Sequence, residues 1–469
     1  VQTCALPILP NICRRGAMIV ALLLCCPLAR AADSPKPLNL LIITADDMNA
    51  DSGGWNGDKL GATPNLDAFA KGAHRFVNSH VTVPICQPCR SALMTGRVPH
   101  RNGALGFNPI RRDVPTLVEI LRDAGYYTGV IAKAAHMAPA EKFPWHAVGD
   151  QALGKQPKKF VEKFRELLAA AAKEKKPFFI NANICDPHRP FISVKAQADE
   201  LAGARVFKPH EVTVPTFLED LPRVREEVAQ YHSSVSRFDV TFGLLLKELT
   251  SSGRDADTVV VFMSDHGMSF PFSKATVYHN GTWSPVLVRY PGQKAPMAHT
   301  EFVSSVDIMP SVLELLGSKR PSGMDGRSWV PLLNGEAQTD RDFVITHVNT
   351  VSSGKSLAQR CVRTKDRALM FHAWVGGPDK FRVEAMSGLS FAAMKASADP
   401  KVQARVKQLV EGEPLMLFDT ATDPTERKNL VRDPKYASDL TELGKKLLAH
   451  MKRTEDPQTK PFEAAFTTK

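Results

Sequence analysis

Leu38-Asn39-Leu40-Leu41-Ile42-Ile43-Thr44 is a short apolar run, and it stops at Asp46-Asp47. A run apolar at nearly every position, rather than at alternate ones, reads as a strand buried on both faces, the kind found in parallel sheets. Two carboxylates at the carboxyl end of such a strand stand where open α/β sheets place their active sites. The same pattern recurs along the chain. Thr63 is placed to cap a helix that opens with Pro64 and carries Asp67 near its positive end. Thr116 to Ala124 is amphipathic, Gly125 stops it, and Tyr127 to Ile131 is the next strand. Val161 to Glu174 reads as a helix, Pro177 breaks it, and Phe178 to Ala182 is again strand-like. A Pro-rich loop covers Asp186 to Pro222, and Arg225 to Thr250 is a long helix. Thr258 to Met263 is another buried strand, followed at once by Ser264-Asp265-His266-Gly267. Such alternation over roughly 300 residues predicts an α/β fold: a large doubly wound sheet, mixed or parallel, flanked by helices.

Composition shifts near Asp340. Arg360 to Phe371 has strand-like alternation, Leu415 to Phe418 is a further short strand, and Asp433 to Lys452 reads as an amphipathic helix capped by Asp433. The expected organisation is therefore an extension with a leader-like segment (1–32), a catalytic domain (33–340) and a smaller C-terminal α+β subdomain (341–469).

The chain has 469 residues, 43% hydrophobic and 23% charged, which is the composition of a globular protein and not of a disordered one. Its formal net charge of +11 favours anionic partners, although a generally basic surface with no specific ligand reads equally well. No dense Lys/Arg run with interleaved aromatics is present, which argues against nucleic acid. Arg14 and Arg15 precede an apolar run from Ala17 to Leu28, and Ala29-Arg30-Ala31 supplies small residues where a signal peptidase cuts. If Met18 is the true start, those two arginines fall outside the protein. The run is too short for a comfortable transmembrane helix. The expectation is a secreted or periplasmic protein with no stable membrane span. Without this segment four cysteines remain, Cys86, Cys89, Cys185 and Cys361, too few in a chain this long for a disulfide scaffold.

Asp46-Asp47 and Asp265-His266 together supply three carboxylates and an imidazole, an oxygen-rich set suited to a hard divalent cation such as calcium. Taken alone, each pair fits helix capping or ion pairing better than it fits a metal. Cys86-Gln87-Pro88-Cys89-Arg90 is sharper. It opens a helix that Gly96 closes, and a cysteine at a helix start is expected to have a lowered pKa. C-x-P-C also suits a redox dithiol, but no aromatic residue precedes Cys86 and Arg90 follows the pair directly. A zinc reading lacks a second Cys or His pair at similar spacing.

At these residues the chain resembles the sulfatase family of the alkaline phosphatase superfamily. Cys86, Pro88, Arg90, Thr95 and Gly96 match the family's C-x-P-x-R helix and its T-G stop. Asp46-Asp47, the helix start at Thr63-Pro64-Asn65-Leu66-Asp67, Lys133, His188, Asp265-His266-Gly267 and Lys274 match further motifs in the family's order. Leu417-Phe418-Asp419, Asp423-Pro424-Thr425-Glu426 and Asn429-Leu430 resemble its C-terminal motif. The resemblance implies an alkaline phosphatase-like fold. It also implies that a formylglycine-generating enzyme oxidises Cys86 to formylglycine, whose hydrate carries one hydroxyl to attack sulfur and another to expel sulfate. Asp46, Asp47, Asp265 and His266, with the group made from Cys86, would hold one cation, calcium or alternatively magnesium. Arg90 and Lys133 would steady that side of the site, and His188 and Lys274 would bind sulfate or protonate the leaving atom. His136 is a further candidate, although Lys133-Ala134-Ala135-His136 has one residue more than the family's K-x-H. Many members have Ser in place of Cys89. His100, His210 and His279 are read as structural histidines.

Asp186 to Pro190 and Ser264 to Lys274 resemble the heparan N-sulfatase (sulfamidase) branch, which implies a sulfated, glucosamine-containing glycan as substrate. Arg189 is a candidate for pairing with a uronate or sulfate. Rival readings are a phosphoesterase of the same superfamily and a glycan-binding protein never converted at Cys86.

Overall fold

The computed structural model describes residues 36–193 and 201–467, so the leader-like segment lies outside the described residues. The strands are β1 (Asn39–Asp46), β2 (His74–Phe76), β3 (Ser79–His80), β4 (Tyr127–Ile131), β5 (Ala147–Gly149), β6 (Phe178–Pro187) and β7 (Thr258–Ser264). They continue as β8 (Val286–Arg289), β9 (Ala298–His299), β10 (Val303–Ser304), β11 (Phe343–Thr350), β12 (Ser356–Thr364), β13 (Arg367–His372) and β14 (Leu415–Asp419). An eight-stranded mixed sheet has the order β5-β4-β6-β1-β7-β8-β2-β9. Its centre is parallel, with β1 between β6 and β7 and β4 beyond β6, while β8 runs antiparallel to β7 and β2.

β1 shows why the sheet is buried on both sides. Leu41, Ile43 and Ala45 join one apolar cluster, with the helices Pro64–Lys71, Pro157–Lys173 and Pro222–Ser251. Leu40 and Ile42 point the other way, into a cluster with the helices Cys86–Thr95, Leu117–Asp123 and Ile308–Leu315. Successive side chains alternate across a strand, so a strand covered on both faces must be apolar throughout. This is the large helix-flanked sheet expected from the sequence.

Several details differ from expectation. Thr63 makes no side-chain cap to its helix; its hydroxyl donates to Asp67 and accepts from the Gly54 N–H. β6 continues five residues past Ala182, into the stretch read as loop. Arg360 to Phe371 is not one strand: it spans parts of β12 and β13, which turn back between Thr364 and Arg367. Asp433 caps a short 3-10 turn (Pro434–Tyr436), and the helix proper is Ala437–Arg453.

The C-terminal strands form a separate antiparallel sheet, β11-β12-β13-β14. Ile345, Val362, Leu369, Phe371, Leu415 and Leu417 face the helix Ala437–Arg453 through Leu443, Leu447 and Met451. Cys361, Ala368, Met370, Met416 and Phe418 face the other way and join the apolar cluster of the large sheet. The two sheets thus share one core. Among the described residues no helix is long and apolar enough to cross a membrane.

Candidate active site

Four parallel strands deliver the site at their carboxyl ends. β1 ends at Asp46-Asp47, β7 at Ser264 just before Asp265-His266, β6 at Pro187 just before His188, and β4 at Ile131 two residues before Lys133. The backbone bends sharply as it leaves the sheet: Asp47 has φ 69°, Ala132 56° and Lys133 54°. Non-glycine residues held in this region cluster at functional sites, where surrounding structure fixes them. Gly267 is required for a different reason. A Cβ there would stand 1.8 Å from the Asn280 carbonyl oxygen.

Cys86 is the first residue of the helix Cys86–Thr95, every residue of which is buried. Its Sγ lies 3.2 Å from His266 Nε2. One donor atom each from Asp46, Cys86, Asp265 and His266 lie within 4.8 Å of one another, and a second such group joins Asp46, Asp47, Cys86 and His188. Three fully buried carboxylates in one place demand compensation. Lys133 pairs with Asp46, Lys274 with Asp47 at 3.0 Å, and Arg90 with Asp265 at 2.8 Å. Arg90 also donates to Thr44 Oγ1 and Asn183 Oδ1. Burial alone would raise Asp46, but Lys133, His188, Arg90 and Lys274 outweigh it and hold the carboxyl well below its ordinary value. Asp265 is instead raised, by burial and by the charge of Asp46. Even so, Oδ1 of Asp46 is buried without a hydrogen-bond partner, with Arg90 3.9 Å away. These residues fit a bound divalent cation, which would satisfy that oxygen.

The thiol overturns one expectation. The helix start does not lower the Cys86 pKa; burial raises it well above the ordinary value, and the facing carboxylates add to that against the opposing Lys274. An unmodified Cys86 is therefore a protonated thiol and a poor nucleophile. Cys89 is also a free thiol, fully buried in the apolar cluster that holds Leu40, Ile42 and Leu93.

His188 is half-buried, with Nε2 3.4 Å from Glu384, and Glu384 also pairs with Lys274 at 3.2 Å. His136 stands at the edge of the cluster, within electrostatic reach of Lys133, Arg90, Asp46 and His188. Its buried Nδ1 has no hydrogen-bond partner, its ring packs edge-on to Phe107, and burial together with Lys133 pushes its pKa down to about 3. Arg189, a candidate for the substrate, is committed internally. It pairs with Glu227 at 2.7 Å, donates to the Ser269 carbonyl and lies over Phe191. Glu227 in turn accepts from the N–H groups of Leu389 and Ser390, which ties the helix Leu389–Ala396 to this face.

Sequence reasoning missed Glu384 and Asn183. Asn183 accepts from Arg90 and Thr44 and donates to the Ile131 and Ala132 carbonyls, bracing the turn that presents Lys133. Its signal was a polar residue inside an otherwise buried strand. Glu384 sits 110 residues from Lys274 on an irregular segment, with no local signal at all.

The sulfatase family model matches residues 38–318, more than half of the chain and every cluster residue except Glu384. The chain belongs to the sulfatase family. A model described as N-sulphoglucosamine sulphohydrolase, C-terminal, matches residues 265–375 of this sulfatase. Human N-sulphoglucosamine sulphohydrolase is 28% identical, with 93% of each chain covered. An ulvan-active sulfatase of Formosa agariphila is 27% identical over 88% of this chain and 81% of its own. Among solved structures, a protein in complex with its substrate D-glucosamine-2-N,6-O-disulfate superimposes with a TM-score of 0.69 at 18% identity, covering 90% of this chain and 99% of the other.

Cys89→Ser is expected to leave sulfate release unchanged and to cost no more than about 1–3 kcal/mol, the cost of a buried hydroxyl with incomplete bonding. Turnover and melting temperature of fully converted protein check this. Loss of turnover without unfolding would give Cys89 a chemical role.

Proposed function

We propose that this sulfatase releases sulfate from a glucosamine at the non-reducing end of a sulfated glycan, N-sulfate first and O-sulfate second. The nucleophile is formylglycine made from Cys86 by a formylglycine-generating enzyme. The observation that carries the chemistry is the convergence of Asp46, Asp47, Asp265, His266 and Cys86, with a buried oxygen of Asp46 that no hydrogen-bond donor reaches. These four residues and the oxidised Cys86 would hold one calcium ion, with magnesium as the alternative. Conversion of Cys86 also improves the fit, since it replaces a soft sulfur by an oxygen in a set of hard ligands. When bound, the cation polarises the sulfate oxygens and favours the ionised nucleophile.

The remaining roles follow from the pairings. Arg90 and Lys133, already committed to Asp265 and Asp46, hold those carboxylates in place. Lys274, buried between Asp47 and Glu384, and the partly exposed His188 orient the sulfate, and His188 gives a proton to the departing nitrogen or oxygen. Residues 33–340 form the catalytic domain, and 341–469 contribute Glu384 to its rim. The leader-like run Ala17–Leu28 supports a periplasmic or secreted location, where polymeric glycans are met.

N-sulfate specificity is supported by the sulphohydrolase match over residues 265–375 and by the human relative. A panel of N-, 6-O- and 2-O-sulfated heparin fragments, sulfated algal glycans and an aryl sulfate tests it. Sulfate release is expected first from N-sulfated glucosamine, with rates falling as salt screens the basic surface. Activity confined to algal glycans would refute the glucosamine assignment and leave the sulfatase chemistry standing.

A further inference from the structure

Away from the active site, three imidazoles from distant parts of the chain converge. His100 lies in the short helix Pro99–Asn102, His347 on β11, and His450 in the last turn of the helix Ala437–Arg453. The His347 and His450 Nε2 atoms are 3.2 Å apart. Ring centroids are 5.3 Å apart for His347 and His450, and 5.7 Å for His100 and His347. His347 is fully buried, and its Nδ1 and both ring nitrogens of His100 are buried without a hydrogen-bond partner. Asp456 approaches His100 and His347, one donor atom each of these three lying within 4.8 Å of one another, and His450 joins them through His347.

A tetrahedral zinc ion with Zn–N bonds of about 2.0–2.1 Å separates its ligand nitrogens by about 3.3–3.4 Å and their ring centroids by about 5.2 Å. The His347–His450 pair already has these spacings, and the His100 ring stands 5.7 Å from that of His347. Burial, the leading cause in each case, lowers the pKa of all three, taking His450 to about 3, so the rings are in the neutral form that binds metals. The neighbouring cations do not bar an ion. Arg360 is neutralised by Asp456, whose oxygens it holds at 2.6 and 2.8 Å. Arg453 bonds His450 Nδ1 at 3.1 Å, but its side chain is 58% exposed and can swing away. Access is from a groove of about 750 Å³ bordered by His450, Arg453 and Asp325.

We propose that His100, His347 and Asp456 form a second cation site, for one zinc-type ion, with His450 beside His347 as the fourth ligand. Bound there, the ion links the catalytic domain to the C-terminal helix at a junction the active-site chemistry does not use. The competing account is an N–H···N hydrogen bond between His347 and His450 with no affinity for metal.

The test is titration of the full-length protein, calcium-saturated, with cobalt(II) as a spectroscopic stand-in for zinc. One equivalent of cobalt is expected to give the visible spectrum of a four-coordinate ion, which zinc abolishes. Zinc at a hundredfold excess over its Kd is expected to raise the melting temperature by about 3 °C. His450→Gln and, separately, His100→Gln should lose the cobalt spectrum and the zinc shift while keeping sulfate release. Asp46→Asn should keep the spectrum. A wild-type protein with no such spectrum, or one whose spectrum survives His450→Gln or disappears in Asp46→Asn, overturns the proposal.

Discussion

Cys86→Ala is expected to reduce sulfate release by on the order of 10⁴-fold or more, because it removes the atom from which the nucleophile is made. The fold should survive. Cys86 is one small residue at the start of a wholly buried helix whose other contacts run through Leu93, Met94 and Arg90. Cys86→Ser should fail as well, since a serine hydroxyl yields one attacking oxygen but no second hydroxyl to expel sulfate. Circular dichroism and melting temperature report the fold, and sulfate release reports the chemistry. Near-normal turnover in folded Cys86→Ala protein would end the assignment. The wild-type protein provides the companion measurement. Peptide mass across Cys86 should show loss of sulfur on conversion. An unconverted, correctly folded wild-type chain should be inert, because a thiol has no second hydroxyl to expel sulfate once sulfur has been attacked. Inert wild-type protein in a host that converts other sulfatases would favour a binding protein.

Removing the cation is expected to have the next largest effect. Lewis-acid stabilisation of several kcal/mol corresponds to on the order of 10³-fold in rate. Chelation should abolish turnover, and calcium should restore it. Asp46→Asn should lose calcium affinity and also strand Lys133, whose partner is Asp46. Asp265→Asn should do the same to Arg90, which is almost wholly buried. Calcium should raise the melting temperature of the wild-type protein and not that of Asp46→Asn, because a ligand that binds only the folded state stabilises it. Two zinc ions per chain within the carboxylate cluster would instead place the chemistry with phosphoester hydrolysis. That result is separable from a single ion at His347 and His450, which Asp46→Asn leaves untouched.

By itself the sequence determined the central strands, the order of the main motifs and most of the residues that the structure gathers at the candidate site. Leu40 to Ile43 could only be a strand covered on both faces, because nothing but burial on both sides rewards an unbroken apolar run. The site residues at the ends of β1 and β7 and at the start of the Cys86 helix were legible for the same local reason. Tertiary structure decided how their charges are balanced. Lys133 with Asp46, Lys274 with Asp47 and Arg90 with Asp265 are pairings between residues far apart in the chain, and no local pattern encodes them. It also decided against two local readings. Arg189 looked free for substrate but is held by Glu227. Cys86 lost the pKa lowering of a helix start to desolvation and to three carboxylates. Glu384 entered the site from a segment with no signal of its own, carried there by a helix whose first N–H groups bond Glu227. Backbone pattern is a short-range property and can be read along the chain. The electrostatic environment of a buried group is the sum over everything folded around it, and only the assembled structure supplies that sum.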